Sequence, residues 1–328
     1  MLVCGRPCVV SYNPELSARE NAAIIARSVE PGVSFSIKTC LDFGIDWRSC
    51  LNSLIDLGIK RFRIMSYWDV HEPASGEIDF RLLDEQLAIL AKRRCRVTLC
   101  IGMRQPRWPE SHVPSWALLL PEEERLNHYL LYHQLVVERY KDNPCIESWQ
   151  LENEFWNRGF GVNHDFSRFR LKTEFAVIRA LDPRRPIIMS LANTYGLPLF
   201  APKPDLFGTT LYVIQHKNDT YTPTKLTPFY FRMRRFLVRL LGRRDLVVHE
   251  LQAEPWGPAA TQDLSDDEQA KSMNSAQLTR VISFARRSGI RYMDLWGGEW
   301  WYWRKTTRRD HELWAAIKNE VHEARHTS

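Results

Sequence analysis

Along the chain, short runs of apolar, β-branched and aromatic residues alternate with longer segments whose apolar positions recur every three or four residues. The short runs predict strands at 33–37, 61–65, 97–102, 146–151, 187–191, 206–212, 246–250 and 292–296. Between them the helical period is plain: Trp47, Cys50, Leu51, Leu54, Ile55 and Leu57 share one face, and Leu82, Leu83, Leu87, Ile89 and Leu90 share the next. Asp46 stands where a helix N-cap belongs, as does Ser265 with Glu268 three residues on, and Gly58 and Gly289 fall where a helix end calls for a left-handed residue. Eight strand–helix units in unbroken succession predict a parallel sheet covered by helices. The expected fold class is α/β, a closed (β/α)8 barrel forming one domain over 33–328, with an irregular segment 1–32 packed on it. An open doubly wound sheet is the alternative, but the chain lacks the G-x-G-x-x-G and G-x-x-x-x-G-K-[ST] cradles that bind nucleotides on such sheets.

A chain of 328 residues suits this architecture, which typically takes about 250. With 44% hydrophobic and 12% aromatic residues the composition excludes disordered, collagen-like and disulfide-stapled classes. No apolar run exceeds five residues, far short of the roughly 18 that span a bilayer. The first dozen residues are broken by Gly5, Arg6 and Pro7 and lack the apolar core of a secretory signal, so the cytoplasm is the expected compartment. Cysteines at 4, 8, 40, 50, 95, 100 and 145 are odd in number and form no C-x-x-C pair, which predicts reduced, structural thiols.

The net charge of +6 is mild, and much of the excess lies in one segment, at Arg232, Arg234, Arg235, Arg239, Arg243 and Arg244. Aromatic residues interleave with these arginines over 229–244. The plain reading is a helix with a solvated basic face; the alternative is contact with a membrane surface, and nucleic acid is not expected as a partner.

In a parallel barrel the chemistry sits at the carboxyl ends of the strands. The fourth predicted strand runs into Glu152, Asn153 and Glu154, and the seventh into Glu250 and then Glu254. Carboxyl groups at the tops of strands four and seven face each other across the mouth, close enough for the roughly 5–5.5 Å separation of double-displacement glycoside hydrolysis. Either glutamate alone could be a rim residue paired with an arginine. Together with an asparagine before the first and tryptophans after both strands, they point to an acid/base and a nucleophile.

These residues resemble the large clan of retaining glycoside hydrolases built on (β/α)8 barrels, families 5, 42, 35, 10 and 1 among them. The resemblance spans about residues 33–305. The clan's strand-four signature, an Asn-Glu pair, is matched by Asn153 and Glu154 in "CIESWQLENEFW", and "VVERYKDNPCIESWQLENE" is especially similar to family 42. "LVVHELQAEPW" resembles that family's seventh strand and assigns the nucleophile to Glu250, with Glu254 the competing choice. Arg63 in "RFRIM" resembles the clan's second-strand arginine, which supplies the opposite charge for the nucleophile, and "YWDVHEPASGEIDF" resembles the following loop with Trp68, Glu72, Pro73 and Gly76 in place. "GMRQPRWPE" looks like family 42's Pro-x-Trp stretch, here Pro106 and Trp108. Tyr212 matches the family 5 tyrosine that contacts the nucleophile, although the histidine two residues earlier is Thr210, a departure from family 5. Trp296 matches the aromatic platform beneath the sugar.

The resemblance therefore implies a retaining β-glycoside hydrolase acting on a β-linked oligo- or polysaccharide, with Glu154 as acid/base and Glu250 as nucleophile. Asn153 would donate to the sugar 2-hydroxyl, and Arg63, Trp68, Trp108, Tyr212 and Trp296 would complete the substrate site. A non-catalytic carbohydrate-binding protein on the same barrel is the alternative. Trp47, Trp149 and Trp314 read as core, and His249 as structural, its side chain expected on the strand face opposite Glu250. No metal or cofactor is expected: the first strand reads Ser34, Phe35, Ser36, Ile37 and Lys38 where a metal hydrolase wants His-x-His, and His71, His112, His164, His216 and His249 are scattered. No G-x-S-x-G elbow occurs. Arg104 and Arg107, near the end of strand three, could read an anionic sugar or simply be solvated.

Overall fold

The computed structural model describes residues 12–326 apart from 163, 165, 194–201, 203 and 243. The described residues form ten strands, β1 (Gly32–Phe35), β2 (Arg61–Met65), β3 (Arg96–Cys100), β4 (Ile146–Leu151), β5 (Ile187–Leu191), β6 (Leu206–Leu211), β7 (Ile214–Lys217), β8 (Thr220–Pro223), β9 (Asp245–Gln252) and β10 (Met293–Trp296). Eight of them close a barrel in the order β1-β10-β9-β6-β5-β4-β3-β2, every pairing parallel. β7 and β8 form a separate antiparallel hairpin. The predicted barrel is thus the observed one. The N-cap at Asp46 accepts from the Ser49 N–H at 2.8 Å, and Ser265 accepts from the Glu268 N–H at 3.1 Å. Gly58 and Gly289 take the left-handed backbone expected at their helix ends, with φ of 110° and 73°.

Helices including Trp47–Asp56, Arg81–Lys92, Glu122–Tyr140, Arg168–Leu181, Pro228–Gly242, Ser275–Arg287 and His311–His326 follow the strands. They bury their apolar stripes on the outer face of the sheet in one continuous core that includes Leu51, Leu54, Leu87, Val136, Ile178 and Val281. Of the segment 1–32, residues 1–11 lie outside the description, Cys4 and Cys8 with them. Its remainder is not irregular throughout: Ala18–Ile25 is a helix with a reciprocal capping box between Ser17 and Glu20. Ala22, Ile25 and Ala26 pack against Ile188, Leu206, Val247 and Tyr292, so this helix seals the amino end of the barrel. The five described cysteines, 40, 50, 95, 100 and 145, are free and buried. No helix among the described residues is long and apolar enough to cross a membrane.

The inside of the barrel is polar where many barrels are filled by branched aliphatic side chains. Arg61 lies 3.5 Å from the ring centroid of Tyr292 and bonds Asp294 at 3.1 Å, and His249 reaches the same carboxylate at 3.2 Å. Arg63 occupies the next layer up, towards the mouth. Arg61, His249 and Asp294 thus link β2, β9 and β10 across the barrel interior.

Candidate active site

The chain leaves β4 through a strained turn. Glu152 and Glu154 both hold left-handed backbone, with φ of 36° and 45°, a conformation that costs a non-glycine residue roughly 1–2 kcal/mol. Gly102, just beyond β3, permits it: a Cβ there would stand 2.3 Å from the Glu152 nitrogen. The turn sends the two glutamates in different directions. Glu152 points into the helical layer, where its carboxylate accepts from Met103 N–H at 2.7 Å, Tyr129 OH at 3.0 Å and Arg170 Nη1 at 2.9 Å. Burial alone would raise its pKa, but Arg170 and these donors lower it below the usual carboxylate range. Removing one partner of a buried pair leaves an uncompensated charge. Arg170→Ala is therefore expected to destabilise the fold by about 3–5 kcal/mol, read as a lowered urea midpoint at unchanged slope; an unchanged midpoint would refute the structural role of Glu152.

Glu154 instead points to the mouth. Its amide donates to Ser190 Oγ at 2.9 Å, and its Oε2 accepts from Asn157 Nδ2 at 2.7 Å. Burial comes first among the causes that raise its pKa, and the charge of Glu250 second; hydrogen bonds from Asn157 and Thr210 oppose them. Thr210, which stands where family 5 has a histidine, thus bears on the same carboxyl group.

Glu250 faces Glu154 from β9. Its Oε1 accepts from Arg63 Nη1 at 2.9 Å and its Oε2 from Tyr212 OH at 3.1 Å. Arg63 is fully buried and organises the whole mouth: it also donates to Gln150 Oε1 at 2.6 Å, Asn153 Oδ1 at 2.8 Å and the carbonyl of His249 at 3.1 Å. The pairing of β9 with β6 shifts register at this point, Thr209 opposing Val248 while Thr210 opposes Glu250. That bulge corrects one expectation. His249 does not lie on the opposite strand face; the extra residue lets His249 and Glu250 both turn inward, one to Asp294 and the other to Arg63. His249 is completely buried, and burial, with Arg63 and Arg61 adding to it, holds its pKa well below the usual value. A neutral structural role follows.

Three features of the mouth were not anticipated. Glu110, in the loop after β3, accepts from Asn153 Nδ2 at 2.8 Å; burial, and then the charge of Glu250, push its carboxyl well above the usual range. One N–H of Asn153 is therefore committed to Glu110. Arg107 is not solvated: it ion-pairs with Glu254 and, at 3.0 Å, with Glu299. Its guanidinium lies 4.0 Å from the ring centroid of Trp296. Arg104 is likewise an internal strut, donating to the carbonyls of Asn153 at 2.9 Å and Phe160 at 3.1 Å. Neither arginine is free to read an anionic sugar as it stands. Glu299, three residues past β10, could have been found by the strand-end rule that found Glu154; Glu110, ten residues past β3 in a loop, carries no such signal.

The structure brings Arg63, Asn153, Glu154, Tyr212 and Glu250 together and sets Trp296 beside them under Arg107. Glu254, the competing nucleophile, is held by Arg107 instead of Arg63. Trp68 is not brought to the mouth: it is buried among Trp116, Tyr129 and Tyr132, with its indole N–H donated to Glu72 at 2.6 Å, so it has no face left for a ligand. Trp108 is 69% exposed and begins an aromatic wall in which Trp108 meets Phe160 at 5.7 Å, Phe160 meets Trp256 at 6.1 Å and Trp256 meets Tyr212 at 5.2 Å. This wall leads from solvent to the tyrosine that touches Glu250. Among the described residues no group of three or more His, Cys, Asp or Glu side chains is placed to hold a metal ion.

No protein-family model matches the chain. A stretch of 128 residues, 34% of the chain, is 27% identical to the β-galactosidase Bga of Halorubrum lacusprofundi. The chain spans only about a fifth of the length of the curated relatives it matches, 18% and 19%. Among solved structures it is similar to GH5_18 from Streptomyces cattleya in complex with GlcNAc, at 16% identity and a TM-score of 0.56 over 83% of this chain and 70% of that one. It is also similar to a family 10 endo-β-1,4-xylanase from Gloeophyllum trabeum, at 14% identity and a TM-score of 0.59 over 92% and 98%. At these identities the likeness speaks for the fold. The chain is a (β/α)8 barrel of the architecture found in glycoside hydrolase families 5 and 10 and in β-galactosidases.

Proposed function

We propose that the chain is a retaining β-glycoside hydrolase that works by double displacement, with Glu154 as acid/base and Glu250 as nucleophile. One observation carries this reading: two carboxyl groups at the ends of β4 and β9 share a mouth but have opposite surroundings. Glu250 is clamped by a guanidinium and a phenol. Glu154 is pushed towards its protonated form by burial and by its partner's charge. A carboxyl pushed towards protonation beside one held by a guanidinium is the pairing that an acid and a nucleophile require.

In the first step a Glu250 oxygen bonds to the anomeric carbon as the glycosidic bond breaks, and Glu154 gives its proton to the departing oxygen. In the second, Glu154 takes a proton from water, the water oxygen attacks the anomeric carbon, and Glu250 is released. Asn153 lends its remaining N–H to the 2-hydroxyl, a contact that strengthens as positive charge develops on the ring. The aromatic wall from Trp108 to Tyr212 offers apolar faces to the leaving group. The partner is a β-linked oligo- or polysaccharide, whose sugar faces the rings of the wall would meet.

Nitrophenyl β-glycosides test the proposal, β-galactosides first because the curated relatives are named β-galactosidases. The expected first product, followed by NMR, is the β-anomer, and chelators are expected to leave the rate unchanged. Release of the α-anomer first would refute double displacement. Loss of activity to a chelator with recovery on adding divalent metal would refute the metal-free mechanism, and oligosaccharide binding without turnover would favour the binding-protein reading.

A further inference from the structure

We infer that the outer face of the helix Pro228–Gly242 docks the protein on an anionic lipid surface. The inference does not depend on the glycosidase reading. Phe229, Met233, Phe236 and Leu240 are 61%, 40%, 56% and 62% exposed. Their spacing of four, three and four residues stacks them along one side of the helix, a stripe about 16 Å long at 1.5 Å per residue. Leu241 widens it, 56% exposed. Among the described residues outside this helix, exposed large apolar side chains include single ones, as at Leu41, Leu131 and Phe169, the adjacent pair Leu118 and Leu119, and members of the wall at the mouth. A contiguous apolar stripe on a surface helix calls for an explanation that single exposed residues do not.

Charge selects the occupant. The helix contains no aspartate or glutamate. Of its arginines, Arg234 is buried and donates to Thr209 Oγ1 at 2.8 Å and the Ala192 carbonyl at 3.1 Å, and Arg235 is paired with Asp245 at 2.6 Å. Arg232 and Arg239 remain exposed along one edge of the stripe. Arg232 donates to the Arg287 carbonyl at 2.8 Å, which sets the exposed Arg287 next to that edge. An apolar stripe bordered by cations is the pattern of a helix lying in a lipid interface, apolar side chains among the upper acyl chains and arginines at the phosphates. A second copy fits less well, because joining two such faces sets arginine edges near each other with no carboxylate on the helix to offset them.

Co-sedimentation with phosphatidylcholine vesicles, with and without about a third phosphatidylglycerol, tests this. The wild-type chain is expected to partition at least about ten-fold more strongly onto the anionic vesicles, and less so as salt rises. The double variant F236D/L240D changes only exposed side chains; with an unchanged circular-dichroism melt it is expected to lose at least about ten-fold in partitioning. R239E should weaken binding to anionic vesicles and leave the neutral ones unaffected. The inference is overturned if wild type ignores both vesicles, or if F236D/L240D binds as wild type does. It is also overturned if wild type ignores vesicles but is a dimer that F236D/L240D dissolves, or if it is retained on DNA and not on lipid.

Discussion

Glu250→Gly is expected to lower kcat/KM on a nitrophenyl β-glycoside on the order of 10⁵-fold, by comparison with deletions of other covalent nucleophiles. The loss is large because no neighbour can substitute: the carboxylate that Arg63 and Tyr212 hold is that of residue 250, and Glu254 is tied to Arg107. On the proposed assignment, removing the side chain leaves a gap on the face of the sugar from which Glu250 would attack. Azide or formate entering that gap should restore turnover and give a product of inverted configuration. The reading that Glu254 is the nucleophile predicts the converse, with Glu250→Gly active and Glu254→Gly yielding the inverted azide adduct.

The second large effect is that of Glu154→Ala, and it depends on the leaving group. Proton donation contributes about 10²–10⁴ in rate, so glycosides of poor leaving groups should lose that much while activated aryl glycosides still form the covalent intermediate. Azide should then attack from the face that Glu154 vacates and yield a product of retained configuration. The pH profile supplies an independent check. On the proposed assignment Glu154 acts as an acid in its protonated form; its pKa is raised by burial and by Glu250, so activity should fall as pH rises through that raised value. Glu154→Ala should abolish this alkaline limb on activated substrates; a limb that persisted would belong to another group.

Why some of this is readable in sequence and some is not has a physical basis. The strand–helix alternation reveals the barrel because each element must bury one face, and the boundaries at 61–65, 146–151 and 187–191 coincide with the observed strands. The hairpin of β7 and β8 was not foreseen, since its side chains are largely exposed and leave little apolar pattern. Its local signal is Asn218-Asp219, both left-handed at φ of 50° and 56°, the backbone of a tight hairpin turn. In the mouth, Arg63, Asn153, Glu154, Tyr212 and Glu250 are legible because strand ends fix where they stand. Arg107 and Glu110 are not, because a loop carries them in and long-range ion pairs and hydrogen bonds decide where they settle. Trp68 shows the limit from the other side: the loop motif is matched, yet Glu72 and the ring stack draw its indole into the core. Likewise, strict alternation would set His249 and Glu250 on opposite faces, and only the bulge in β9 brings both inward.

The stacking of Arg107 on Trp296 makes the free protein its own competitor. Any ligand that is to lie on that indole must first move a guanidinium held by Glu254 and Glu299. Its apparent affinity is then its intrinsic affinity multiplied by the fraction of molecules in which the indole is bare. A ligand that takes over the two carboxylates' hydrogen bonds while it displaces the arginine escapes part of that penalty. Sugars offering a pair of hydroxyl groups to Glu254 and Glu299 would thus be selected over equally flat ligands that offer none.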